Sequence, residues 1–201
     1  MSIINKLVQS ALNEWEFFER STIKSNGSTT VGLREYEDGA WQRIGDYWNF
    51  IGGGYGNLTG KDRGVPWSAA FISWCFNEAG AGTKFPYSAG HAKYINTAIR
   101  NANENDTEAP IYGHRIKGYK LKVGDLIGYW RGNNPITFDN ARSIGSYQSH
   151  TDIVVEVSGK FAYTIGGNVM HSVTKREVKL GENGDLIDKS QNWFVVIQNN
   201  L

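Results

Sequence analysis

One cysteine, Cys75, is all that the 201 residues contain, so the chain can form neither an intrachain disulfide nor a multi-cysteine metal site. Charge of either sign is also scarce in excess. Twenty-one basic and 20 acidic side chains leave a formal net charge of +1, which supplies no basic footprint for nucleic acid. The basic runs within 117–122 and 175–179 are short and interrupted, and read as solvated surface. No apolar run approaches the length of a membrane-spanning helix, so no membrane insertion is expected. Residues 1–20 carry Glu14, Glu16 and Glu19 inside an apolar pattern, without the positive start and unbroken apolar centre of a secretory signal. Synthesis in the cytoplasm is expected, and any action outside would need a dedicated export apparatus or release by lysis.

Glycine and aromatics, by contrast, are plentiful: 24 Gly, 7 Trp, 10 Tyr and 9 Phe. A chain of this length buries a sizeable core, and one domain over 1–201 is expected, with a helical extension over about 1–60. Ile3, Leu7, Val8, Ala11, Leu12, Trp15 and Phe18 recur at helical spacing, and the polar stretch 21–30 ends that helix. Residues 36–50 suit a second helix. The glycine run 52–56 forces a loop; it has no strand before it and no Lys-Ser/Thr pair after it, so it is not a phosphate loop. Pro66 opens the clearest helix, 67–79, and 94–102 is a further short one. After that the period changes to two. Strands are expected at 126–130, 153–157, 161–165, 169–173 and 193–197, around a loop over 131–149. Helices first and an antiparallel sheet afterwards make the expected class α+β.

Ser68 lies in the first turn of its helix, where unpaired amides and the helix field favour developing negative charge. A serine becomes a useful nucleophile only when a neighbouring base takes its proton, and His150, just before an apolar strand, is the candidate base. Asp152, two positions later on the same side of a strand, is one candidate to orient His150. Asn168, ending Gly166-Gly167-Asn168, is the other, and spacing leaves the choice open. Equally, serine early in a helix is commonly a cap, and histidine before a strand is commonly a packing residue. Cys75, seven residues after Ser68, is an alternative nucleophile, although a mid-helix cysteine among Phe71, Trp74 and Phe76 more often packs as a small hydrophobe. His91, His114, His150 and His171 are far apart and form no His-Glu-x-x-His pattern, so no metal or other cofactor is expected. Glu35, Glu37, Asp38 and Asp62 could supply a carboxylate pair for glycoside hydrolysis, but nothing in the spacing sets their separation.

Five ordered runs carry a resemblance. They are 65–74 (VPWSAAFISW), 85–91 (FPYSAGH), 123–127 (VGDLI), 149–155 (SHTDIVV) and 165–169 (IGGNV), spread over roughly 60–200. Together they resemble a bacterial family of uncharacterised domains (DUF2272-like) related to the NlpC/P60 and CHAP cysteine peptidases. The resemblance implies a papain-like fold: N-terminal helices followed by a small antiparallel sheet, with a nucleophile at a helix start and a histidine on the sheet. It also implies hydrolysis of amide bonds in peptidoglycan peptides, with Ser68 where those enzymes carry cysteine, His150 as base and Asn168 as orienting residue. His91 matches a recurrent position of the closer family without an assigned role, and Trp67 and Trp130 are accessory candidates. Serine in place of cysteine is the departure, because serine must lose its proton during attack. The alternative is a non-catalytic cell-wall or protein-binding module, whose platform would include Trp41, Tyr47, Trp48, Tyr55 and Trp130. An inhibitor or delivery partner is not readable.

Overall fold

Ser2 caps the first helix, α1 (Ile3–Phe17), its hydroxyl accepting from the Asn5 amide at 3.2 Å. In the computed structural model, which describes residues 1–201, two short strands follow, β1 (Ser21–Ile23) and β2 (Thr29–Thr30). Next come α2 (Ala40–Ile51), a single 3₁₀ turn at Gly53–Tyr55, and α3 (Ser68–Glu78). A second 3₁₀ turn at Gly82–Lys84 leads to α4 (Ala92–Asn103). Then follow β3 (Ile111–His114), β4 (Leu126–Trp130) and the one-turn α5 (Ala141–Ile144). The chain closes with β5 (Ser149–Ser158), β6 (Phe161–Val169), β7 (Ser172–Lys179) and β8 (Trp193–Asn199). No helix is long and apolar enough to cross a membrane.

All eight strands join one sheet in the order β2-β1-β7-β6-β5-β4-β8-β3. The β1–β7 pairing is parallel, with Ser21 opposite Thr174, and the others are antiparallel. This corrects the expected layout. The class is α+β, but the chain does not place its helices first and a small antiparallel sheet after them. A large mixed sheet recruits strands from before α2 and between α4 and β4. The polar stretch 21–30 hides β1 because its hydroxyls are satisfied inside the protein. Ser21 Oγ donates to Ser172 Oγ at 2.9 Å and accepts from the Gly32 amide at 2.8 Å, and Ser172 Oγ also donates to the Leu33 carbonyl at 2.7 Å. Polar strands of two or three residues carry no period that a sequence can show.

The sheet is covered on both faces. Leu7, Ala11 and Phe18 of the α1 region, Ile44, Tyr47 and Trp48 of α2, and Phe71 and Phe76 of α3 pack against Leu126, Ile153, Ile165 and Ile197. The opposite face holds a second cluster with Ile127, Tyr129, Val154, Ala162, Val178 and Val196. Neighbouring residues of one strand therefore enter different cores. The first sixty residues contribute to the main core, and Tyr47 and Trp48 of the expected aromatic platform are fully buried in it.

A buried charge joins α1 to α2. Glu14 is 4% exposed; it accepts from the Tyr47 hydroxyl at 2.5 Å and from Arg43 Nε at 3.0 Å. Removing one partner of such a group strands the rest without water. Glu14→Ala is expected to lower unfolding free energy by about 3 kcal/mol, and Tyr47→Phe by about 1 kcal/mol, both read from urea denaturation.

Candidate active site

Helix α3 begins without a capping side chain: Trp67 occupies the N-cap position and makes no side-chain cap bond. The first-turn amides at Ser68, Ala69 and Ala70 therefore stand at the positive end of the helix dipole. Ser68 Oγ lies 2.7 Å from His91 Nε2, and His91 itself sits immediately before α4. On its other edge, His91 Nδ1 meets Thr151 Oγ1 at 3.1 Å and the Tyr94 hydroxyl. Tyr94 and Thr151 are also 3.2 Å apart, so three elements meet in one polar knot below Ser68. Ser68 and His91 are only 4% and 5% exposed, and both line a cleft of about 310 Å³ with Pro66, Arg131, Tyr147 and Gln148.

His150 occupies a different surrounding. Along β5, Ile153 joins the helix-side core and Val154 the opposite one, so Thr151 shares the helix side while His150 and Asp152 share the other. His150 stacks obliquely on Tyr129, its strand neighbour, with centroids 5.0 Å apart. Its Nε2 lies 2.9 Å from Asp152 Oδ1, and Asp152 Oδ2 accepts from the Thr164 hydroxyl at 3.2 Å, with Arg176 Nε 3.5 Å away. His150 Nδ1 is buried and has no partner. The rings of His91 and His150 are 5.1 Å apart, centroid to centroid.

Two glycines allow this arrangement. A Cβ at Gly167 would lie 2.7 Å from Phe71 and Trp67, where α3 rests on the sheet. A Cβ at Gly166 would collide with Asp152 Oδ1 and stand 2.8 Å from His150 Nε2. Successive residues of β6 thus admit the helix on one face and the His150–Asp152 pair on the other.

Burial, reinforced by the nearby His150 and Arg131, pushes the His91 imidazole well below its usual range. Burial also lowers His150, against the opposing pull of Asp152. For Asp152, burial works to raise the pKa, but His150, Arg176 and Thr164 outweigh it and hold the carboxylate ionised below its usual range. Both histidines are therefore neutral near pH 7, each with one bare nitrogen.

The other sequence candidates lie elsewhere. Asn168 donates to Glu35 Oε2 at 2.6 Å, not to His150. The same carboxylate accepts from Trp67 Nε1 at 2.7 Å, and its second oxygen lies 2.7 Å from His171 Nδ1. Trp67 is thus a buried brace at the head of α3. Trp130 is half-buried at the end of β4, packed against the main core. Cys75 is fully buried; burial first, then the Glu14 charge, raises its thiol far above the usual range. Glu37, Asp38 and Asp62 each serve a local turn or helix start through Arg34 N, Gln42 and Thr59. Sequence reasoning quoted His91 without a role and missed Thr151, Tyr94 and Arg131. Thr151 stood between His150 and Asp152, and a strand buried on both faces was the signal that it points oppositely to them.

Residues 35–198 match the model of a family described as an uncharacterized protein conserved in bacteria (DUF2272). The chain belongs to the DUF2272 family. The matched span contains Ser68, His91, Arg131, His150, Asp152 and Asn168, whereas α1, β1 and β2 precede it. No curated protein and no solved structure matches the chain.

Two outcomes follow for this DUF2272 domain. The folded pKa values of His91 and His150 lie below the ordinary 6.5, so below that pH the unfolded chain takes up protons that the folded chain refuses. Stability is complete above pH 6.5 and falls as pH drops from there, by up to about 1.4 kcal/mol per pH unit for each histidine; urea midpoints at pH 7.5, 6.5 and 5.5 measure it. Gly166→Ala is expected to cost about 1–3 kcal/mol by crowding Asp152 and His150, measured in the same assay at pH 7.5.

Proposed function

We propose that this protein is a serine-dependent hydrolase that cleaves amide bonds in bacterial cell-wall peptides through an acyl-enzyme on Ser68. The observation that carries the reading is the 2.7 Å contact between Ser68 Oγ and His91 Nε2, at an uncapped helix start lining a cleft. His91 takes the role of base in place of His150. With Nδ1 protonated and directed at Thr151 and Tyr94, Nε2 is the bare nitrogen and accepts the Ser68 proton. The burial of Tyr94 raises its phenol pKa, so the hydroxyl stays neutral beside the ring.

In the reaction, Ser68 Oγ attacks the carbonyl carbon as its proton passes to His91 Nε2. Amides of the first turn of α3 stabilise the oxyanion. The C–N bond breaks, the leaving amine takes the proton from His91, and the acyl ester remains on Ser68. Water, deprotonated by His91, then attacks the ester and releases the acid, returning the proton to Ser68. His150, Asp152 and Arg176 form the buried polar floor beside this pair.

The cell-wall substrate class is supported by the ordered runs that resemble NlpC/P60 and CHAP peptidases and by membership of a bacterial family. Kinship with those peptidases is part of the proposal and rests on the runs around the site, not on the layout of the sheet. A second reading, a non-catalytic module binding the same peptides, has its own support: no carboxylate stands behind His91, only two hydroxyls.

Ser68→Ala and His91→Ala are each expected to lower muropeptide hydrolysis by about 10³-fold or more, while His150→Gln leaves a larger residual rate. The check is mass spectrometry of products, with new amine and acid termini as the readout. Full hydrolysis by a folded Ser68→Ala protein would sink the reaction, and binding without any products would favour the second reading.

A further inference from the structure

Beside the Ser68–His91 pair stands a cation that the reaction as written does not use. Arg131 directly follows β4, and its backbone is fixed there: its amide donates to the Gln148 carbonyl at 2.9 Å. Its guanidinium is held from the protein side, with Nη2 donating to the Tyr129 hydroxyl at 2.9 Å and the charge 5.3 Å from the centre of that ring. None of the chain's ion pairs includes it. Arg43, Arg115 and Arg176 all face carboxylates; Arg131 faces a cleft.

That cleft continues past the reacting pair. A neighbouring cavity of about 370 Å³ shares Arg131, Tyr147 and Gln148 with the 310 Å³ cleft and extends to Asn133 and Asn134. Among the residues lining either space, Arg131 is the only one that carries a charge, His91 being neutral. No acidic side chain lines the passage, so a cationic ligand group would meet repulsion without compensation. A carboxylate would meet a guanidinium already oriented, with donors to spare in a planar fork that matches it. Tyr129 restrains the side chain in advance, which lowers the ordering cost of binding.

We propose that Arg131 is a specificity-determining residue that binds a carboxylate carried by the substrate close to the bond under attack. The inference rests on Ser68 and His91 being the reacting pair, and it narrows the substrate to acidic peptides. Cell-wall peptides with free carboxylates meet that requirement, and their amidated forms do not.

Calorimetric titration tests this on the full chain carrying Ser68→Ala, so that bound peptide is not consumed. The probes are a soluble muropeptide mixture and the same mixture after chemical amidation of its carboxylates. Amidation is expected to weaken binding roughly tenfold or more. The preference should vanish in Ser68→Ala/Arg131→Gln and be partly kept in Ser68→Ala/Arg131→Lys, with circular dichroism verifying each fold. Equal binding of the two mixtures, binding of neither, or a preference that survives Arg131→Gln overturns the inference. Wild-type hydrolysis, assayed in parallel, separates it from the reaction: a carboxylate preference without hydrolysis upholds the anion site and removes the chemistry. Hydrolysis with no carboxylate preference does the reverse.

Discussion

A strand buried on both faces must send successive side chains into different cores, and β5 obeys that constraint beside the Ser68–His91 contact. Ser149 and Thr151 leave it towards the helices, whereas His150 and Asp152 leave it towards Tyr129, Thr164 and Arg176. Helix α3 lies on the first side and brings Ser68 to meet a histidine from another element, His91. The position of one residue in the strand period thus separates a serine–histidine contact from a buried histidine–carboxylate pair. Gly166 and Gly167 extend the same division into β6, each leaving room on its own face.

Hydrogen bonds to a shared carboxylate hold the loops around the site. Glu35 gathers Trp67, Asn168 and His171 on one carboxylate, tying the segment before α2 to the head of α3 and to the β6–β7 hairpin. That hairpin turns through Asn168, Met170 and His171, all at positive φ, and asparagine tolerates that backbone better than most residues. The Asn168 side-chain amide is turned to Glu35, to which it donates at 2.6 Å. Glu14 does comparable work between α1 and α2, so the N-terminal region is fastened by charge as well as by apolar packing.

Electrostatically, the cleft is one-sided. A neutral His91, an uncapped helix start and the Arg131 guanidinium, which has no carboxylate partner, leave it rich in donors and positive potential. Such a lining favours a negatively charged group over a cation, and burial together with the same positive potential keeps His91 neutral. The carboxylate of Asp152 is buried on the other face, partnered by His150, Thr164 and Arg176, and does not line the cleft.

Much of the helical part was legible from spacing. Apolar residues at intervals of three and four located α1, Pro66 located the start of α3, and the glycines after Ala79 its end. Period two located β4 at its full length and β5, β6 and β8 short of theirs. Strands β1, β2 and β3 were not legible, because two to four residues show no period and their pairing with distant strands costs chain entropy that only the whole fold offsets. Around the site, the sequence by itself determined that Ser68 opens a helix and that His150 and Asp152 lie on one side of a strand, since both facts are local periodicities. Which histidine meets the serine, which carboxylate is buried beside His150, and where Arg131 points were decided only by the tertiary structure. The first is a contact between residues 23 positions apart; the other two join residues only two apart, but what they pack beside is set by the rest of the fold, which a local pattern does not contain.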